Sequence, residues 1–140
     1  MPRKKGFTLI ELMVVIALIA IFSSIVMASF TTVRARNRDG KRVSDIREIE
    51  KALSLYQIEN NVFPVPSDPS EPVTLTGEDE ISVILEGGGH ISGVPHDPQS
   101  PNTDYTYETN TQGSTFTLSF CLETDTIRSY NEGCGNTITP

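Results

Sequence analysis

The sequence predicts an α+β protein in which one long N-terminal helix lies against a small antiparallel sheet of about three strands. Residues 12–33 are 22 consecutive uncharged residues, and an apolar stripe with helical spacing follows them. Residues 116–122 alternate apolar and polar side chains, which is typical of a strand with one buried face. At 140 residues, the chain is at most one modest domain plus an appendage.

The charges are unevenly distributed along the chain. The formal net charge is -7, yet ten of the 11 basic residues lie within the first 51. From Ala52 onward there are 13 acidic residues and one basic residue, Arg128. This balance excludes a general nucleic-acid binder, which needs a Lys/Arg surface. Two interpretations stay open: acidic heads that pair with basic stems of other copies, or a solvated surface that keeps the head soluble.

The uncharged run has three interpretations. As a helix it would extend about 33 Å, which is enough for a bilayer core. It could be a secretory signal peptide cut after Val26-Met27-Ala28, leaving Ser29 as the first mature residue. It could also be a plain membrane anchor, in which a deeply placed Glu11 would cost about 2.5 kcal/mol or more. The third interpretation rests on the residues just before the run.

Residues 4–11, Lys-Lys-Gly-Phe-Thr-Leu-Ile-Glu, resemble the processing motif of type IV prepilins and the related pseudopilins. The resemblance implies that a prepilin peptidase cuts between Gly6 and Phe7 and methylates the new amine of Phe7. It makes Glu11 the fifth mature residue, with a role in assembly. It also implies a single-pass precursor in the cytoplasmic membrane, in contact with lipid, with its C-terminal head outside the cytoplasm. An inner-membrane assembly platform would then polymerise it into a homo-oligomeric helical filament, extracellular in a pilus.

The physical chemistry of Glu11 agrees with that role. A cut after Gly6 places a positive amine at Phe7, one helical turn from Glu11, where a helix N-terminus already favours negative charge. In the family, this Glu is thought to meet the N-terminal amine of a neighbouring subunit. Because each charge is costly when buried alone, pairing relieves both. We therefore expect the pair to set the register between subunits.

A single helix is predicted from about Thr8 to Asn60. Its second half carries an apolar stripe at steps of three and four, widened by Leu55 and Ile58, which comprises Val43, Ile46, Ile49, Leu53 and Tyr56. Charged residues at helical spacing flank the stripe, including the pairs Arg42/Asp45 and Lys41/Asp45. The run DIREIEKALSLYQIENNVFP resembles the helix end of major pseudopilins and short type IV pilins. The predicted organisation is leader 1–6, transmembrane or filament-core helix 7–33, amphipathic stem 34–61 and globular head 62–140.

The head is predicted from turn signals and alternation. Residues 62–77 contain four prolines and are expected to be a connecting loop, and residues 79–86 a short helix ended by Gly87-Gly88-Gly89. A strand with Tyr105 and Tyr107 on one face precedes the strand at 116–122, and residues 127–130 are the predicted third strand.

Two cysteines, Cys121 and Cys134, enclose 12 residues. A bridge between them would contribute about 3 kcal/mol in the loop-entropy model and would imply an oxidising compartment. Unpaired structural thiols are the alternative. The pair resembles the disulfide-bounded C-terminal loop of many type IV pilins, and that resemblance implies a bridge.

No enzymatic activity and no cofactor are predicted. His90 and His96 have no partner at metal-ligand spacing, and His96-Asp97 is expected to be a surface turn. The order VPHDPQ…YTYE resembles type II secretion pseudopilins, whose major member carries a calcium site in a later loop. The Gly/Asp-rich signature of that loop is not evident here, which leaves Asp104 and Asp125 as the candidate oxygen donors.

These observations predict a structural subunit of a type IV pilus. The alternative is a major-type pseudopilin of a type II secretion system, and a further alternative is a secreted or membrane-anchored binding domain that does not polymerise. The cysteine pair favours the pilin, whereas the helix end and the VPHDP run favour the pseudopilin. A further hypothesis is that Arg34, Arg36 and Arg38 contact the acidic heads of adjacent subunits.

Overall fold

The structure is a computed structural model that describes residues 6–140, apart from the side chains of residues 25–29. Lys4 and Lys5 of the predicted leader, and the side chains at the alternative Val26-Met27-Ala28 cut, lie outside the described part. The elements in chain order are α1 (Leu9–Asn60), β1 (Val73–Leu75), α2 (Glu80–Gly87), β2 (Tyr105–Thr109), β3 (Phe116–Leu122) and β4 (Gly133–Ile138). The chain forms two compact units, Met1–Ala35 and Arg36–Pro140.

Helix α1 is continuous, as the sequence predicts, and begins one residue later than expected. Within the second unit its stripe is buried at Ile46, Ile49 and Leu53. The expectation that Leu55 and Ile58 widen this stripe is wrong, because they are 49% and 73% exposed. An α-helix turns about 100° per residue, so both side chains lie more than about 120° around the helix axis from the centre of the buried stripe. No helix among the described residues combines the length and the apolar character that crossing a membrane requires.

Asparagine ends α1, as predicted. Asn61 adopts a left-handed conformation with φ 63° and donates its backbone N–H to the Gln57 carbonyl at 2.7 Å. Asparagine tolerates this conformation better than most residues, so it suits the first position beyond a helix. The turn directs Phe63 back into the core, where its ring meets Phe116 edge-on.

The sheet has four antiparallel strands in the order β1-β2-β3-β4, rather than about three. The first missed strand is β1, which lies inside the segment predicted to be a loop at 62–77. Its three residues pair with β2 from Val73 opposite Tyr107 to Leu75 opposite Tyr105. This strand has only three residues and follows prolines at 64, 66, 69 and 72, so the sequence shows no alternation from which it could be predicted.

The predicted strand at residues 127–130 is wrong. These residues form a turn in which Tyr130 donates its backbone N–H to the Ile127 carbonyl at 3.0 Å. The last strand is β4, which pairs with β3 and begins three residues after that turn. Its sequence, GCGNTI, has two glycines and no alternation, so local propensity does not identify it.

One hydrophobic cluster joins the stem part of α1 to the sheet and α2. Its sheet contribution alternates as predicted, with Tyr105, Tyr107, Phe116, Leu118, Phe120 and Leu122 all buried. Helix α2 confirms the predicted short helix. The Asp79 carboxylate caps it by accepting from the Ser82 backbone N–H at 2.9 Å, and Gly89, with φ 73°, follows its last turn.

Candidate functional site: the N-terminal turn and the Arg42 cluster

The N-terminal turn contains all three residues assigned to processing and assembly. Gly6 and Phe7 lie before the helix without regular secondary structure, and the Phe7 side chain is 80% exposed. The bond between them therefore lies in accessible chain outside regular secondary structure. Glu11 lies in the first turn of α1. Cleavage and methylation at this bond stay predictions.

Thr8 and Glu11 form a capping box at the start of α1. The Thr8 hydroxyl oxygen accepts from the Glu11 backbone N–H at 3.3 Å, and Glu11 Oε2 accepts from the Thr8 backbone N–H at 2.8 Å. The same oxygen accepts from the Thr8 hydroxyl at 2.7 Å. This arrangement directs the Glu11 carboxylate back along the chain towards Phe7. The box was not among the sequence predictions, although Thr-x-x-Glu is its signature.

A second functional group, the Arg42 cluster, joins the stem to the head. It consists of Arg38, Asp39 and Arg42 from α1, Asp97 and Gln99 from the α2–β2 loop, and Glu123 after β3. The Arg42 guanidinium is fully buried and all five of its N–H groups donate. Its shortest contacts are 2.7 Å to Asp97 Oδ2 and 2.7 Å to Glu123 Oε1.

Asp39 and Asp97 accept further hydrogen bonds besides those from Arg42. Asp39 accepts from the backbone N–H groups of Glu123 and Thr124, both at 2.9 Å. Asp97 accepts from the Gln99 backbone N–H at 2.7 Å and from the Thr103 hydroxyl at 2.8 Å. Two loops of the head are therefore attached to two turns of the helix by charge-assisted hydrogen bonds, which are the stronger kind.

The electrostatics of the cluster favour its charged forms. Hydrogen bonds from Arg38 first, and then from Arg42, lower the pKa of Glu123 to about 2, against the opposing effect of burial. Burial alone would raise the pKa of Asp97, but the hydrogen bonds from Arg42 and the Gln99 backbone lower it below its usual value. Burial would likewise lower the pKa of Arg42, and its hydrogen bonds to Asp97 and Glu123 raise it instead. Glu123, Asp97 and Arg42 therefore stay ionised at neutral pH.

Three predictions about charged residues are corrected here. Arg42 pairs with Asp39 and Asp97 rather than with Asp45, whereas the predicted pair of Lys41 with Asp45 is present at 2.8 Å. Arg38, expected to contact other subunits, forms a two-pronged ion pair with Glu123 of its own chain. His96-Asp97 is not a simple surface turn, because Asp97 is 2% exposed. The pairs of Arg42 with Asp97 and of Arg38 with Glu123 could not be predicted from the sequence, since their partners are separated by 55 and 85 residues.

The two cysteines form the expected disulfide, Cys121–Cys134, which connects β3 to β4.

The described residues offer little support for a metal site. No group of three or more His, Cys, Asp or Glu side chains among the described residues is placed to hold a metal ion. One carboxylate oxygen of Asp104 is buried and has no hydrogen-bond partner within the described part of the chain. The expectation of no resident cofactor stays a prediction.

Comparisons with known proteins agree with the N-terminal turn and the fold. Residues 1–27 match the family model of the prokaryotic N-terminal methylation motif. The chain is 31% identical over 107 residues to type II secretion system core protein G of Vibrio cholerae, covering 76% of this chain and 72% of that protein. It is 28% identical over 137 residues to core protein G of Klebsiella pneumoniae, covering 97% and 96%.

A pilus protein is also similar. The type IV wide pilus major component of Thermus thermophilus is 38% identical over 63 residues, covering 45% of this chain and 48% of that protein. No solved structure matches the chain.

The motif, the long helix and the antiparallel head define a prepilin-type protein. The chain belongs to the family of type IV pilins and type II secretion pseudopilins.

Proposed function

We propose that this chain is a major-type pseudopilin, a structural subunit of a type II secretion filament. Its similarity to core protein G over nearly its whole length carries this choice within the family. In this proposal the chain is inserted in the cytoplasmic membrane, cut between Gly6 and Phe7, methylated at Phe7, and polymerised by an assembly platform. It acts by assembly rather than by catalysis.

The N-terminal turn suits this mechanism. Cleavage leaves a cationic amine on Phe7, next to the residue whose N–H already meets the Glu11 carboxylate. In a filament, that carboxylate would exchange a neutral local donor for the amine of a neighbouring subunit. Both are charge-assisted hydrogen bonds, but the amine adds an attraction between two full charges, and that attraction is strongest where water is excluded.

A type IV pilin is the second candidate. The Cys121–Cys134 disulfide and the similarity to the pilus component of Thermus thermophilus favour it. The two candidates differ in what the cell builds. A pseudopilin requires type II secretion genes and supports protein secretion, whereas a pilin gives long surface fibres in electron micrographs of cells that lack those genes.

Replacement of Glu11 tests the proposed mechanism. We expect the Glu11→Ala protein to be inserted, cut and methylated like the wild type, while filament yield falls about tenfold or more because the register-setting charge is lost. Mass spectrometry of the mature N-terminus and the mass of sheared filaments are the two measurements. Glu108→Ala, which removes one exposed carboxylate from β2, is the control and should assemble normally.

Two results would contradict the proposal. A mature wild-type chain that begins at Ser29, or one that is never cut, would show that the chain is not processed as a prepilin. Normal filament yield from Glu11→Ala would leave processing intact but remove the role assigned to the acid.

A further inference from the structure

The side of the stem opposite the head carries three basic residues that form no hydrogen bond or ion pair with the described residues. Arg36, Arg47 and Lys51 are all exposed, whereas Arg38, Lys41 and Arg42 are paired within the chain. At about 100° per residue, the three fall within about 60° of each other around the helix axis. They lie on the opposite side of α1 from the buried stripe.

Apolar side chains extend this surface towards the end of the helix. Leu55 and Ile58 lie on the same side and are 49% and 73% exposed, although the sequence pattern assigns both to the core. We call the five residues Arg36, Arg47, Lys51, Leu55 and Ile58 the outer stem face. A face that combines unpaired cations with exposed Leu and Ile has the composition of a contact surface rather than of a purely solvated one.

The head supplies a surface of the complementary charge. Residues 62–140 contain 12 acidic residues and one basic residue, a formal charge of 1 - 12 = -11. Among the residues that the structure describes, two of those acids, Asp97 and Glu123, are paired with arginine. The other ten leave the head acidic, and they include the exposed Glu71, Glu78 and Glu132. The chain thus presents a helix face with three unpaired cations and a head with a large excess of acidic residues.

We propose that the outer stem face docks on the acidic head of a second copy of this chain. The proposal rests on the proposed function, since a filament brings many copies together at defined spacing. A heterologous contact of this kind, in which one patch meets a different patch, propagates instead of closing into a dimer. A polyanion such as nucleic acid is a poorer occupant, because the head's negative charge lies on the same molecule and repels it.

Site-specific photo-crosslinking in cells tests this contact. The full-length chain carries a benzoylphenylalanine at Ser44, an exposed position one turn before Arg47. Ser44 is next to the five residues of the outer stem face without being one of them, so we expect a crosslinked dimer in which the partner peptide comes from residues 62–140. The same probe at Gln57, exposed on a different side of α1, is the positional control and should give little dimer.

Charge variants then test the cause of the contact. Arg47→Gln with Lys51→Gln should lower the Ser44-crosslinked dimer about fivefold, since two exposed ion pairs are lost. Thr111→Glu with Gln112→Glu changes the net charge by the same amount on the exposed β2–β3 turn and should leave the dimer at wild-type level.

The outcomes separate this inference from the proposed function. Crosslinks only to lipid, to nucleic acid or to other proteins, no crosslink at all, or an undiminished dimer in the Arg47/Lys51 variant would overturn the docking. Filaments that form without the crosslink leave the proposed function standing and reject this contact. Head-to-stem dimers in cells that form no filament support the contact and reject the filament.

Discussion

At the residue scale, Arg42 makes the most consequential contacts in the head. Its buried guanidinium uses every donor, and its partners come from three separate parts of the chain. Arginine suits this position because its planar fork reaches several carboxylates at once, which lysine does not do. The net charge of the cluster is -1, from Arg38 and Arg42 against Asp39, Asp97 and Glu123, so loss of one cation leaves it strongly unbalanced.

Replacing Arg42 is expected to destabilise the head strongly. Arg42→Leu should lower the free energy of unfolding by about 3–5 kcal/mol, because buried carboxylates lose their counter-charge. Chemical denaturation of the full-length protein in detergent measures this change. Arg47→Leu, on the exposed side of the same helix, is the control and should stay within about 0.5 kcal/mol of wild type. Equal, small effects of the two substitutions would mean that the cluster does not stabilise the fold.

At the element scale, β4 depends on long-range partners. It forms the edge of the sheet, contains two glycines, and is interrupted by an irregularity where it pairs with β3 between Phe120 and Leu122. Three features stabilise it: the ladder to β3, the Cys121–Cys134 bridge, and Asn136, whose side chain bonds the backbone of Asn131 and Gly133. These contacts compensate for a sequence with weak strand propensity.

Removing the disulfide should loosen this strand. The double substitution Cys121→Ser and Cys134→Ser is expected to cost about 2–3 kcal/mol, since the unfolded chain regains the freedom of the closed loop. Hydrogen exchange should show faster amide exchange in β4 than in β2. Thr117→Ser with Thr137→Ser, on the same two strands, is the control and should leave β4 protection unchanged. Unaltered β4 exchange in the cysteine variant would show that the ladder alone holds the strand.

At the scale of the whole molecule, the ion cluster couples the fold to pH. The pKa of Glu123 is about 2 in the folded protein and near its ordinary value of 4.5 when the chain is unfolded. A carboxylate whose pKa is depressed by folding contributes stability that is fully present above the unfolded value. That contribution is lost as the pH falls from about 4.5 towards 2. The depressed pKa of Asp97 acts in the same direction.

A pH titration of stability measures this coupling. Wild type should lose stability steeply between about pH 5 and pH 2. Glu123→Gln should begin about 1–2 kcal/mol less stable at pH 7, allowing for partial solvent screening, and should show a shallower acid slope. Glu108→Gln, an exposed strand carboxylate, is the control and should follow the wild-type curve. Parallel curves for Glu123→Gln and wild type would show that this carboxylate is not coupled to folding.

Elements governed by local patterning were predictable. The continuous helix to Asn60, the short helix α2 with its glycine end, the alternation of β3 and the disulfide are all confirmed, because each depends on residues close in sequence or on a single cysteine pair. The family also followed from a short motif. The strands β1 and β4 were missed because their pairing, and not their composition, makes them strands.

The pairing of the basic residues on the stem likewise could not be predicted from the sequence. The sequence identifies a basic stem and an acidic head, but it does not say which cations pair within one chain. Folding brings Asp97 and Glu123 to Arg38 and Arg42, and it leaves Arg36, Arg47 and Lys51 exposed on the opposite side. Helical periodicity fixes which residues share a side of α1, whereas the choice of the buried side requires the head to pack against it.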